Sequence, residues 1–250
     1  MMCELRLFFT ALMFFTRIPC GRFAGTTQDD LDGSSRYFPW IGILVGAVGA
    51  GIYWVADQFL PQEIAVLLSM AATILLTGAF HEDGLADAAD GLGGGWEKEQ
   101  VLAIMQDSRL GSYGALAIFM ALLVKFETLA HLSPALLPLV LIAGHALSRF
   151  CALLVMVTQD YVRPNGKAKP LATQLSKGGL LVAAVGGLAP LAVFWHAPHL
   201  LWALVPVVLT WLWFARKLKR RLGGYTGDCL GAMQQLCELA FYLGILALSI

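Results

Sequence analysis

The sequence predicts an all-α fold: a polytopic membrane helix bundle of about seven spans with an N-terminal interfacial helix. Composition is the first observation. The chain is 58% hydrophobic and 14% charged, with a mean hydropathy of +0.70, where a soluble domain carries about 25% charged residues. The second is the recurrence of apolar stretches of spanning length. The third is that Lys and Arg gather in some connections and are absent from others. Net charge is +0, so bulk charge calls for no nucleic-acid partner. Cys3, Cys20, Cys151, Cys229 and Cys237 are scattered and form no Cys-x-x-Cys pair, so neither a zinc site nor a disulfide framework is expected.

In chain order, an apolar run over 7–15 is too short to span. Arg17 and Pro19 follow it without an Ala-x-Ala cleavage site, which reads as an interfacial helix stopped by Pro19 rather than a signal peptide. Residues 21–35 are polar and contain Gly, and read as a loop. Spans are expected near 37–59, 63–80, 112–131, 134–157, 178–195, 199–214 and 232–249, with 178–214 short enough to be a tight helical hairpin. Arg6, Arg17, Arg22 and Arg36 precede the first span. Lys98 and Arg109 lie in an acidic loop, and Arg163, Lys167, Lys169 and Lys177 follow the fourth span. Arg216, Lys217, Lys219, Arg220 and Arg221 occupy a loop before the last span, while the connections near Pro61, Ser133 and Pro198 contain neither Lys nor Arg. The positive-inside rule then puts the N-terminus and the basic loops in the cytoplasm.

The acidic stretch over 78–114 organises the rest. Asp83, Asp87 and Asp90 have i, i+4 and i+3 spacing, which puts them on one face of a helix. Carboxylates so close repel, and are tolerable if some are protonated or cations sit among them. Mg²⁺ suits the set, because it takes hard oxygen ligands through one or two carboxylates and shares the rest with water and phosphate. Gly84, Gly91, Gly93, Gly94 and Gly95 would let backbone approach a ligand. The plainer reading is a solvated acidic helix start. Asp107, Ser108 and Arg109 offer a carboxylate, a hydroxyl and a guanidinium before Gly111; the same residues also suit a helix C-terminal turn. Gly223, Gly224, Tyr225, Thr226, Gly227 and Asp228 resemble an anion-cradling turn followed by a helix start, with Asp228 as N-cap or further metal ligand.

Lys125, Arg149 and Glu238 fall within apolar spans. A charge there costs about 2.5–3.5 kcal/mol on insertion scales and so faces a cavity or a partner. Arg149 suits a phosphate clamp, a structural pair with Glu238, or snorkelling to the interface. His145 reads as a packed, hydrogen-bonded histidine, and His81 as orienting a carboxylate or ending a helix rather than binding metal. A transporter would use the same charges, but its site belongs at the midplane, whereas the Asp cluster begins where an apolar span ends.

The motifs HEDGLADAADG at 81–91, MQDSRLGSYG at 105–114 and GGYTGDCLGA at 223–232 resemble those of the cobalamin synthase family, the adenosylcobinamide-GDP ribazoletransferases. Weaker matches at 16–19, 38–42, Lys125 and 148–149 keep the same order over nearly the whole chain. The resemblance implies that 1–250 is a single integral-membrane catalytic domain of the bacterial inner membrane, with its active site on the cytoplasmic side. Its substrates would be adenosylcobinamide-GDP and α-ribazole or its 5′-phosphate, joined with release of GMP in a Mg²⁺-dependent phosphoryl transfer. Asp83, Asp87 and Asp90 would hold Mg²⁺. Asp107 or Asp228 would complete the metal shell or act as base, and Arg109 and Arg149 would bind phosphate. Lys125, Gly223, Gly224 and Thr226 would complete the substrate site. Beyond the substrates and the lipid bilayer, a homo-oligomer is left open as a partner. The carboxylate spacing is also similar to that of the CDP-alcohol phosphotransferases, whose fuller motif this chain lacks.

Overall fold

A computed structural model describes residues 2–163 and 175–250. Eleven α-helices fill most of these residues. Six helices are long and apolar enough to cross a membrane, and a seventh span is reached if one bent pair counts as one.

Helix α1 (Met2–Phe15) buries Leu7, Ala11, Leu12 and Phe15 against the bundle and leaves Leu5 and Met13 exposed. It ends at Phe15, before Pro19, where the Thr16 hydroxyl donates back to the Leu12 carbonyl at 2.7 Å. The expected loop over 21–35 instead contains α2 (Gln28–Ser34). A capping box builds it: Thr27 caps the Asp30 amide while Asp30 accepts from the Thr27 amide, so two orphan donors are satisfied locally. Arg6 of α1 ties this helix down through Asp30 at 2.6 Å.

Helices α3 (Phe38–Ala56) and α8 (Leu137–Thr158) form the centre of the bundle. Gly42 and Gly46 explain their close crossing. A Cβ at Gly42 would lie 2.3 Å from the His145 carbonyl oxygen, and one at Gly46 2.6 Å from the Ile142 Cα. Small residues four apart let two backbones touch, which is the main source of helix association in lipid.

The expected span over 63–80 is broken. Helix α4 (Gln62–Thr77) stops at Gly78 and Ala79, both left-handed with φ of +66° and +58°. Helix α5 (Phe80–Gly94) leaves at 85° to it. The Arg17 side chain lies over Gly78, where a Cβ would meet its Nε at 2.4 Å. Helices α6 (Lys98–Ile104) and α7 (Ser112–Ala130) follow.

Helix α9 (Lys177–Leu188) runs into a 3₁₀ segment, Ala189–Phe194, because Pro190 cannot continue the α ladder. The expected hairpin over 178–214 opens out instead: α9 packs on α8 and α3, whereas α10 (Leu204–Leu222) packs on α11 (Gly227–Ser249). The basic run 216–221, expected in a loop, is helical. Phe214, Ala215, Leu218 and Leu222 bury one face of those turns, and an amphipathic face of this kind extends a helix past the apolar stretch. Leu116, Phe119, Leu123, Leu181, Val208 and Leu209 point outward while Lys125, His145, Arg149 and Glu238 are buried, as a bundle dissolved in lipid requires.

Candidate active site

Helix α5 carries the acidic motif, and α11 crosses it with almost no gap. A Cβ on Gly84 would lie 3.0 Å from the Asp228 carbonyl oxygen and 3.2 Å from the Gly231 Cα. Only a glycine at 84 lets the first turn of α11 sit there, and this crossing brings Asp228 within electrostatic range of Asp83 and Asp87. Asp83 is exposed, and Asp87 and Asp228 are half-buried. They form an acidic mouth at the junction of the two helices.

The turn before α11 supplies the countercharge. Gly223 ends α10 with φ +79°. At Gly224 a Cβ would fall 2.0 Å from the Asp160 carbonyl oxygen, so the segment after α8 lies directly on the turn. The Tyr225 amide donates to the Asp160 carbonyl at 2.9 Å, and the Val162 amide to the Tyr225 carbonyl at 3.0 Å. That pairing delivers Arg163 to Asp228, Nη2 to Oδ2 at 2.7 Å. Thr226 is fully buried and its hydroxyl accepts from the Cys229 amide at 3.3 Å, the N-cap of α11. In the sequence Arg163 reads only as a topology signal. Lys167 and Lys169 of the same connection lie outside the described residues.

Asp90 is within electrostatic range of Asp87 but its oxygens are committed elsewhere. Its carboxylate accepts from the Gly111 amide at 2.7 Å and the Gly114 amide at 2.8 Å. It therefore caps the N-terminus of α7, where backbone donors and the helix dipole favour an anion. The other glycines of the motif make their close approaches to protein and not to open space: a Cβ at Gly91 would meet Met105, at Gly93 Tyr113 and at Gly95 Val101. Two residues before Gly111, Arg109 and Asp107 pair with each other at 2.6 Å on the exposed loop. The guanidinium pulls the Asp107 carboxyl down to about 2, which makes it a poor proton acceptor at neutral pH.

Lys125 and Arg149 take different surroundings. Lys125 pairs with Glu238, which also receives His145 Nδ1 at 3.0 Å and the Gln234 side-chain amide at 2.5 Å. Gln235 Nε2 extends the chain, donating to Gln234 Oε1 at 2.9 Å and to Glu82 Oε1 at 3.1 Å. A hydrogen-bonded thread thus runs from the acidic motif into the bundle. Two adjacent glutamines in an apolar span were the sequence signal for it. Arg149 donates to the His145 carbonyl at 3.0 Å and makes no direct ion pair with Glu238 among the described residues.

Among the described residues no three His, Cys, Asp or Glu side chains gather closely enough to cage a metal. The donor set nevertheless fits Mg²⁺ of the kind that phosphate enzymes use. Such an ion needs only one or two carboxylates, with water and phosphate oxygens completing its octahedron. Asp83, Asp87 and Asp228 lie within electrostatic range of one another, and Glu82 Oε2 is buried without a partner.

The cobalamin-5-phosphate synthase family profile matches residues 7–246. An adenosylcobinamide-GDP ribazoletransferase of Ralstonia pickettii is 47% identical, covering 95% of this chain and 94% of its own. One from Shewanella frigidimarina is 44% identical over 99% of this chain and 96% of its own. No solved structure matches.

Proposed function

The chain belongs to the cobalamin-5-phosphate synthase family, and on that premise we propose that it is an adenosylcobinamide-GDP ribazoletransferase working at the cytoplasmic face of the bacterial inner membrane. The observation that carries the site assignment is the crossing of α5 and α11 at Gly84, which sets Asp228 and its partner Arg163 beside Asp83 and Asp87. A hydroxyl of α-ribazole, or of its 5′-phosphate, attacks the phosphorus attached to the corrinoid. The bridging P–O bond to GMP breaks, and GMP leaves with its electron pair. The reaction is one of positioning and charge neutralisation.

Each residue has a part in that scheme. Asp83 and Asp87 would hold Mg²⁺, which supplies neutralisation of the diphosphate oxygens. Asp228 accepts the proton of the attacking hydroxyl, kept in place by Arg163. Arg109 swings from Asp107 onto a phosphate. Gly223 and Gly224 shape the turn that brings these groups together. Asp90 fixes the start of α7 beneath them. The cytoplasmic placement draws on the basic residues that share this end of the bundle, Arg17, Lys98, Arg163 and Arg216–Arg221.

The test uses the purified full chain in detergent with the GDP-activated corrinoid, α-ribazole and Mg²⁺, reading GMP release. Chelation abolishes the rate and added Mg²⁺ restores it. Asp87→Asn inserts normally and loses at least about 100-fold in rate, the scale of a lost charge-stabilising group. An unchanged rate would remove Asp87 from the site, and no GMP release from the wild type would remove the activity itself.

A further inference from the structure

The last turns of α10 carry a face that no step of the transfer uses. Leu209, Trp213, Arg216 and Arg220 are exposed and follow one another at i, i+4, i+7 and i+11, a single stripe that is apolar in its first half and cationic in its second. With Lys217 they line an open groove of about 560 Å³. The Lys217 ammonium lies 5.5 Å from the centre of the Trp213 ring. Arg221, at the same end, is spent on protein, donating to the Leu92 and Gly95 carbonyls at 3.5 and 2.6 Å. The neighbouring acids are also taken, Asp160 by Lys219 at 3.4 Å and Asp228 by Arg163. Arg216 and Arg220 meet no carboxylate among the described residues. Lys217 lines a second groove too, of about 340 Å³, between α5, α7, α10 and α11. Apart from Lys217 and Tyr113, every residue lining that groove is Ala, Gly, Leu or Phe. Helix α5 contributes Leu85, Ala88, Ala89 and Leu92 to it, the side of the helix opposite Asp83 and Asp87. Uncommitted cations and an apolar slot therefore meet at Lys217.

We propose that this corner of the bundle binds an anionic phospholipid of the leaflet nearest the acidic mouth, its phosphate on Arg216, Lys217 and Arg220 and one acyl chain in the groove behind α5. The site stands whether or not the chain is a transferase. A topology signal needs only charge in a connection. Here the cations stand on a helix, at the foot of an apolar stripe and beside an apolar groove, which is how bundles recognise a lipid headgroup. A guanidinium matches two phosphate oxygens at once. A zwitterionic headgroup would add its own cation to the three already there, so charge complementarity selects a lipid with net negative charge. A nucleotide would satisfy the cations and bury none of the apolar groove. That groove also lies behind α5, on the side turned away from the acids, so it does not continue the site of transfer.

The test titrates the purified full chain with phosphatidylglycerol or with phosphatidylcholine of the same acyl chains, reading bound lipid by native mass spectrometry. The wild type is expected to hold its first phosphatidylglycerol at least about 10-fold more tightly than phosphatidylcholine, the scale of two or three basic side chains at a membrane surface. Arg216→Gln combined with Arg220→Gln, both at exposed positions, brings the two lipids within about 2-fold of each other. Ala117→Trp fills the groove from α7 with every charge in place, and weakens phosphatidylglycerol at least about 10-fold. Equal wild-type affinities for the two lipids overturn the proposal, as does a double variant that keeps the preference. Glycerophosphoglycerol, the headgroup without its chains, is expected not to displace the lipid at equal concentration; displacement would leave only an anion site. A dimer that Ala117→Trp splits would put a second copy of the chain in the groove and overturn the lipid assignment.

Discussion

Asp90 is held by two amides, and that shapes what its removal does. Asp90→Ala strands the buried Gly114 N–H and the half-buried Gly111 N–H, at about 1–3 kcal/mol for a buried donor left unsatisfied. The expected result is a lower melting midpoint in detergent together with lost activity, whereas Asp87→Asn loses activity at an unchanged midpoint. Equal midpoints for the two variants would show that Asp90 carries no structural load. The Lys125–Glu238 pair makes a similar case. Lys125→Met leaves a buried carboxylate short of its cation and is expected to cost about 3–5 kcal/mol, and Lys125→Met with Glu238→Gln recovers most of that loss. A double variant no more stable than Lys125→Met would refute the coupling. The residue types at these positions were legible in the sequence as acids and bases out of place in apolar or helical surroundings. Their partners were not: spacing put Asp83, Asp87 and Asp90 on one face, but only the position of α7 decides that the third of them becomes its cap.

At the scale of elements, the crossing of α5 over α11 and the break before α5 position the chemistry. Gly84→Leu would push α11 away from Asp83 and Asp87, since a single Cβ there already comes within 3.0 Å of the Asp228 carbonyl oxygen. The expected outcome is loss of GMP release by at least about 100-fold, in line with what small misplacements of catalytic groups cost, at full helical content by circular dichroism. A rate near wild type would mean that the crossing does not place the acids. Ala79 adds a strained link, because a non-glycine residue in the left-handed region costs about 1–2 kcal/mol, and so Ala79→Gly is expected to be tolerated where Ala79→Val is not. Of these elements, the apolar spans followed directly from composition and run length. The break at Gly78–Ala79 did not, since an apolar run that ends at Phe80 reads as continuous, and the packing of Arg17 over Gly78 is visible only in the folded chain. The helix over 28–34 lies in a polar stretch where hydropathy is silent, and only the Thr27 and Asp30 spacing signals it.

For the whole molecule, the same asymmetry that orients the bundle also gathers the substrate's countercharges. The connections near Pro61, Ser133 and Pro198 carry no Lys or Arg, and exposed Trp54, Trp195 and Trp202 lie at that end, where indoles favour the interface. At the opposite end Arg163, Lys219, Arg220 and Arg221 surround the turn that leads into α11. A polyanionic substrate made in the cytoplasm would be drawn to the second end, where a divalent cation would screen the acids beside Asp228. Helix α7 carries the chain from one end to the other between Ser108 and Ser133, both exposed. In a Cys3→Ser background, whose four remaining cysteines are buried, a single cysteine at each position reports the orientation. With a membrane-impermeant maleimide, Ser108→Cys is expected to label only in inside-out vesicles and Ser133→Cys only in spheroplasts. Labelling of both from one side would mean that α7 does not cross. The reverse pattern would put the acidic mouth in the periplasm, on the wrong side of the membrane from its GDP-linked substrate, and the proposed function would fall with it.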